Sequence, residues 1–228
     1  MTSDNAGGTI TMIGSGSAGA TPDIMRVSIS VETRADTVAV AYARAGERAD
    51  AVIAALHGDG VQGRDISTSG LSVRAETVWT DGNREKLVGY TAGTSLTVTL
   101  RDVAGPDGEA QAGNDGGPAA TIAHAVAAGG DDVRLGGLTL TVADEESLMI
   151  RARDAAWDHA VSKAEQYVSR AGRKLGPVLE ITENISGPTP APRIAFAADM
   201  KAAAPRAVPV ELGESEMTAS IRVTWRLA

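Results

Sequence analysis

Polar and apolar positions alternate along several short stretches of this sequence, and each such stretch reads as a β-strand with one face turned to a core. Thr9 to Ile13 and Met25 to Thr33 come first, and in the second Val27, Ile29 and Val31 alternate with Ser28, Ser30 and Glu32. Thr21-Pro22-Asp23 reads as a turn between them. After Asp36, whose side chain suits an N-cap, the period changes. Val38, Ala41, Tyr42, Ala45, Ala49, Val52, Ile53 and Leu56 follow helical spacing until Gly58-Asp59-Gly60 stops it. Ile66 to Trp79, the turn residues Asp81-Gly82-Asn83 and Lys86 to Leu100 then predict a long hairpin. Asp102 to Pro118 is rich in Gly, Asp and Pro, has no period, and reads as an exposed, mobile inserted loop.

Ala119 to Ala128 predicts a short alanine-rich helix, and Leu135 to Val142 a strand. Asp144 then caps the longest helix, which runs to about Ala171 and stops near Gly172. Its stripe of Leu148, Ala152, Ala156, Ala160, Ala164, Tyr167 and Ala171 is small enough for the helix to lie close on a sheet. Pro177 to Glu183 resumes a strand, and 187–209 is a Pro- and Ala-rich loop carrying Ile194, Phe196 and Met200. The last strand alternates Met217, Ala219, Ile221, Val223, Trp225 and Leu227 with polar residues, which puts Arg222 and Arg226 on a solvent face. The expected fold is α+β, a mixed, mainly antiparallel sheet with two long helices packed on it. Residues 1–8 are expected to be a flexible N-terminus and 9–228 a single domain.

Composition narrows the function classes. A net charge of −8 and a pI near 4.9 provide no basic surface to release counterions, which disfavours nucleic acid or an anionic membrane as partner. Aromatics are only 3%, so the core is built from Val, Ile, Leu and Ala. The absence of cysteine excludes disulfides, thiolate metal sites and cysteine nucleophiles. No stretch approaches the roughly 20 apolar residues of a spanning helix, so no membrane insertion is expected. The first eight residues lack the basic and apolar regions of an export leader. As written the chain therefore reads as soluble and cytoplasmic; as a trimmed mature form it would belong to the periplasm or cell envelope.

Candidate chemistry is sparse. Gly14-Ser15-Gly16-Ser17-Ala18-Gly19 has the G-x-G-x-x-G spacing of a dinucleotide fingerprint, but an alternating strand follows where the fingerprint needs a helix N-terminus for the pyrophosphate. It is read instead as the turn between the first two strands. His57, His124 and His159 have no second histidine at i+4, so no metal site is predicted. Asp144-Glu145-Glu146 and Asp131-Asp132 could supply paired carboxylates, yet acidic residues at a helix start complement its dipole and need no catalytic explanation. No G-x-S-x-G elbow and no calcium-loop spacing occur. No catalytic, cofactor-binding or metal residue is assigned.

An ordered series of short motifs spans nearly the whole chain. Gly14-Ser15-Gly16 is followed by Pro22-Asp23 and an alternating strand, then by Gly60-Val61, Asp65-Ile66-Ser67-Thr68 and Val88-Gly89-Tyr90-Thr91-Ala92. The C-terminal half adds Ala155, Ala156, Ala160, Lys163 and Ala164, then Gly172, Leu175-Gly176 and Pro209 to Gly213 ahead of the final strand. In this order the sequence resembles the SIMPL (DUF541) family, from which it departs in the 102–118 insertion and the missing export signal. The resemblance implies similarity to an outer-membrane-associated immunogen and to stress-linked bacterial proteins, some of which form ring-like homo-oligomers, and it brings no defined catalytic residues. The expected function is a non-enzymatic, self-assembling structural or interaction protein, with Ile194, Phe196 and Met200 as the candidate interface. The alternative is a small-ligand or peptide-binding module with a cleft beside the 102–118 loop.

Overall fold

The computed structural model describes residues 8–80, 84–105, 117–183 and 211–228. In chain order the elements are β1 (Thr9–Ala20), β2 (Ile24–Ala35), α1 (Val38–Gly58), β3 (Ile66–Thr80), β4 (Arg84–Arg101), α2 (Pro118–Gly129), β5 (Val133–Thr141), α3 (Glu145–Arg170), β6 (Leu175–Glu183) and β7 (Ser215–Leu227). The α+β class is as expected. The strands, however, divide between two sheets, β1-β7-β6 and β3-β4-β2-β5, and every pairing is antiparallel among the described residues. Alternation marks which residues make strands but carries no pairing information, so the parting of consecutive β1 and β2 was not legible.

The chain clusters into two compact units. Of the described residues, the first comprises 8–21, 142–183 and 213–228. In it the alternation of β7 puts Ala219, Ile221, Val223 and Trp225 on one buried face. The alanines 152, 156, 160 and 164 of α3, one stripe at four-residue spacing, pack on that face and are fully buried. Trp157 tilts against Trp225 with ring centroids 6.3 Å apart. The Asp144 carboxylate accepts the Ser147 N–H at 2.9 Å, capping α3 as its sequence indicates. These hydrogen bonds from Ser147 hold the Asp144 carboxyl below the usual carboxylate range.

The first strand corrects one expectation. Gly14 to Gly19 is not a turn: β1 runs straight through it to Ala20, paired with β7 residue by residue. Gly14 and Gly16 are glycine because α3 crosses them. A Cβ on Gly14 would fall on the Ala156 carbonyl and stand 2.8 Å from Ala160 Cβ, and one on Gly16 would fall among the backbone atoms of Ala152 and Ala156.

The second unit comprises, of the described residues, 22–80, 84–105, 117–141 and 211–212. Here Met25, Val27, Ile29 and Val31 of β2 and Leu96, Val98 and Leu100 of β4 form a buried face under Ala49, Val52 and Leu56 of α1, with Ala125 of α2 in the same cluster. The N-cap of α1 is Thr37, one residue later than expected, whose hydroxyl accepts from the Val40 N–H. The opposite face is polar: Ser30 and Ser95 hydroxyls meet at 2.8 Å, and the ion pairs Arg34–Glu76 and Arg74–Glu32 reach from β2 to β3 across the intervening β4.

Candidate functional site

A cleft of about 300 Å³ opens in the second unit, where the end of α1, the end of β4 and the start of α2 converge. It lies at the described ends of the 102–118 insertion, whose residues 106–116 fall outside the described ones. Its wall holds a charge pair made by local geometry. A 3-10 turn over Gly63–Asp65 brings Asp65 to the start of β3, and the β3–β4 ladder delivers Arg101 beside it. The Arg101 Nε and Nη2 groups both donate to Asp65 Oδ1, at 2.9 and 2.7 Å, while Arg64 Nε stands 3.8 Å from Oδ2. Asp65 is 6% exposed. The Arg101 hydrogen bonds hold its carboxyl below the usual range against the opposing effect of burial, helped by the charges of Arg101 and Arg64. At the rim, His124 Nδ1 meets the Asp59 carboxylate at 2.9 and 3.1 Å, tying α2 to the end of α1. Asp102, on the same wall, has φ of 54°, a left-handed conformation that Asp tolerates better than most residues.

The cleft is concave, and two of its carboxylates are held by basic side chains. Asp65 is neutralised by Arg101, and Asp59 by His124 when that ring is protonated. Among the described residues no group of three His, Cys, Asp or Glu side chains is placed to hold a metal ion.

The second candidate is the outer part of the β3–β4 hairpin. In its register Val73 pairs with Ala92 and Leu71 with Thr94. Ala92 is buried against Ala41 and Ala45 of α1, yet Leu71, on the same face, is 60% exposed. Two irregularities, at Ser69/Leu71 and Glu76/Thr77, re-aim the strands. Beyond the second, Thr77 pairs with Leu87, which places Trp79 diagonally beside Leu87 on one face. Trp79 is 69% exposed, and Val73, Val78, Leu87 and Val88 are also exposed. The arm thus carries six exposed apolar side chains in a chain with few aromatics, interspersed with Arg74, Glu76, Arg84, Glu85 and Lys86.

The remaining sequence candidates have local explanations. His57 Nδ1 contacts the Val61 carbonyl at 2.8 Å, His159 contacts Ser15, and Asp132 pairs with Arg48 at 3.3 Å. Arg222 and Arg226 lie exposed on β7 as expected. Ile194, Phe196 and Met200 lie outside the described residues. Sequence reading passed over the arm because its apolar residues fit a half-buried strand equally well. The irregular spacing of Val78, Trp79, Leu87 and Val88, which breaks strict alternation, was the available signal.

No helix among the described residues is long and apolar enough to cross a membrane. Residues 10–225 match the family described as SIMPL, protein of unknown function (DUF541). The chain is 30% identical over 225 residues to the 26 kDa periplasmic immunogenic protein of Brucella melitensis, covering 96% of this chain and 84% of that protein. It is 31% identical over 209 residues to the uncharacterized protein YggE of Escherichia coli K12, covering 92% and 76%.

Proposed function

The chain belongs to the SIMPL family, and on that premise we propose that it is a non-enzymatic protein of the bacterial cell envelope that assembles with copies of itself through the arm of the β3–β4 hairpin. The periplasmic designation of the Brucella relative supports the compartment. The observation that carries the assembly is the arm itself: Trp79 and Leu87 exposed on the two-stranded end of the hairpin, beyond the last β2 pairing at Tyr90, with Leu71 exposed on β3 where β4 is still paired with β2. Apolar side chains gathered in this way mark interaction surfaces. A second copy is the partner that fits, because the arm's charges are of both signs. A two-fold contact between identical arms sets Glu85 of each against Arg84 and Lys86 of the other, whereas Arg74 and Glu76 are already paired with Glu32 and Arg34 on the polar face. The paired charges of the cleft support a structural role for that region, consistent with a protein that does no chemistry.

Sedimentation equilibrium tests this reading. The wild-type chain is expected at a multiple of its 23.3 kDa mass, and the variant Leu71→Ser/Trp79→Ser/Leu87→Ser at 23.3 kDa. Because all three side chains are exposed, each replacement changes monomer stability by only about 0.5 kcal/mol, so the variant still unfolds cooperatively while it loses mass. A wild-type chain that stays at 23.3 kDa at high concentration overturns the proposal.

A further inference from the structure

We propose that α3 is an edge guard, in which Arg151, His159 and Lys163 close the free edge of β1 against addition of an extended strand from a second copy of this chain. β1 is an edge strand: it pairs with β7 on one side, and no strand lies on its other side among the described residues. Backbone groups of successive residues point to opposite sides of a strand, so one parity faces β7 and the other faces outward. The Leu227 N–H donates to the Gly8 carbonyl, which assigns even-numbered residues to β7 and odd-numbered ones to the free edge. All three contacts from α3 land on odd-numbered residues. Lys163 Nζ donates to the Ile13 carbonyl at 3.1 Å, and Arg151 Nη2 to the Gly19 carbonyl at 3.2 Å. His159 Nδ1 lies 2.9 Å from the Ser15 carbonyl, 3.2 Å from the Ser15 N–H and 3.2 Å from its hydroxyl. With a proton on Nδ1 the ring donates to the carbonyl; without one it accepts from the N–H.

The match follows from the geometry of the two elements. Four residues of helix rise about 6 Å, and two residues of strand about 6.6 Å. Helix positions 151, 155, 159 and 163 therefore step in register with strand positions 19, 17, 15 and 13, running in opposite directions. Three of the four helix positions carry a donor, and the fourth is Ala155, so no side chain reaches the outward groups of Ser17 among the described residues. Gly14 and Gly16 let α3 lie close enough for these side chains to reach over the edge. None of the three makes an ion pair with a carboxylate among the described residues; their polar contacts go to the β1 backbone and to Ser15. Covering an edge is a recognised way to prevent strand addition, because an open edge offers a ready row of donors and acceptors.

The test uses the full chain in the Leu71→Ser/Trp79→Ser/Leu87→Ser background, so that assembly through the arm, or its absence, does not enter the result. Amide exchange of Ser15 is expected to be about fivefold to tenfold slower than that of Ser17, the loss of one hydrogen bond's protection. His159→Ala should remove the difference. Ala155→His, which reproduces the contact one step along, should slow Ser17 by a similar factor and tests the register without removing any existing bond. Arg151→Ser/His159→Ser/Lys163→Ser is expected to add a concentration-dependent dimer mass, with a Ser162→Ala control staying monomeric. Equal exchange of Ser15 and Ser17 in the guarded chain overturns the contact with the Ser15 N–H. A folded triple variant that stays monomeric overturns the role against a second copy.

Discussion

Replacing Gly16 by valine is expected to abolish cooperative folding of the first unit. The new Cβ falls among backbone atoms of Ala152 and Ala156, and backbone cannot rotate away as a flexible side chain does. Relief requires α3 to lift from the sheet, which separates Ala152, Ala156, Ala160 and Ala164 from Ala219, Ile221, Val223 and Trp225. Ordinary overpacking costs about 1–3 kcal/mol; here the obstruction is backbone and the helix contact depends on it, so a cost above about 4 kcal/mol is expected. That is a large fraction of the roughly 5–15 kcal/mol by which domains are stable. Gly14→Ala should behave similarly, since its Cβ meets the Ala156 carbonyl and Ala160. Gly46→Ala is the internal contrast: it lies in α1 with nothing within 4 Å of the added atom, and should stabilise by about 0.5–1 kcal/mol through helix propensity. Thermal unfolding followed by circular dichroism distinguishes these outcomes, and a Gly16→Val protein that melts like the wild type contradicts the packing described.

The second large effect is expected at the cleft. Arg101→Ala strips both short hydrogen bonds from a carboxylate that is 6% exposed and leaves Arg64 at 3.8 Å as its remaining cation. Breaking a fully buried pair costs about 3–5 kcal/mol. Arg101 is itself half-exposed, so water enters after truncation and a smaller cost than that is expected. The pH dependence has a definite sign. Hydrogen bonds from Arg101 lower the folded-state pKa of Asp65 beneath its unfolded value of about 3.9. The stabilisation is therefore fully present above about pH 5 and is lost as pH falls through the folded-state value. Denaturant unfolding of wild type and Arg101→Ala should show a constant gap from neutral pH down to about pH 5. Below about pH 4 the gap should narrow, and one that widens in acid contradicts the assignment.

What could be read from the sequence divides along physical lines. The clean period-two runs of β2 and β7 and the four-residue stripe of α3 were legible because one buried face dictates them. The Asp144 cap was legible for a local reason too, since its partner is three residues away. Gly14 to Gly19 was misread because glycine serves turns and close approaches alike. Only the alanine stripe of α3, more than 130 residues on, tells the two apart. The division into two sheets and the Asp65–Arg101 pair depend on register between distant strands, which alternation leaves undetermined. Exposure of the arm was illegible for a related reason: Leu71 and Ala92 share a face, and the reach of α1 decides which of them is buried.

The claim that the arm is the assembly surface rests on Trp79, the most exposed of the large apolar residues named on it. Its fluorescence is obtained as the difference between wild type and Trp79→Phe, recorded over a dilution series alongside sedimentation. The account predicts emission of a buried indole in the assembled protein, moving to the red as dilution returns the mass to 23.3 kDa. A solvent-exposed emission from Trp79 at concentrations where the protein is assembled would contradict it.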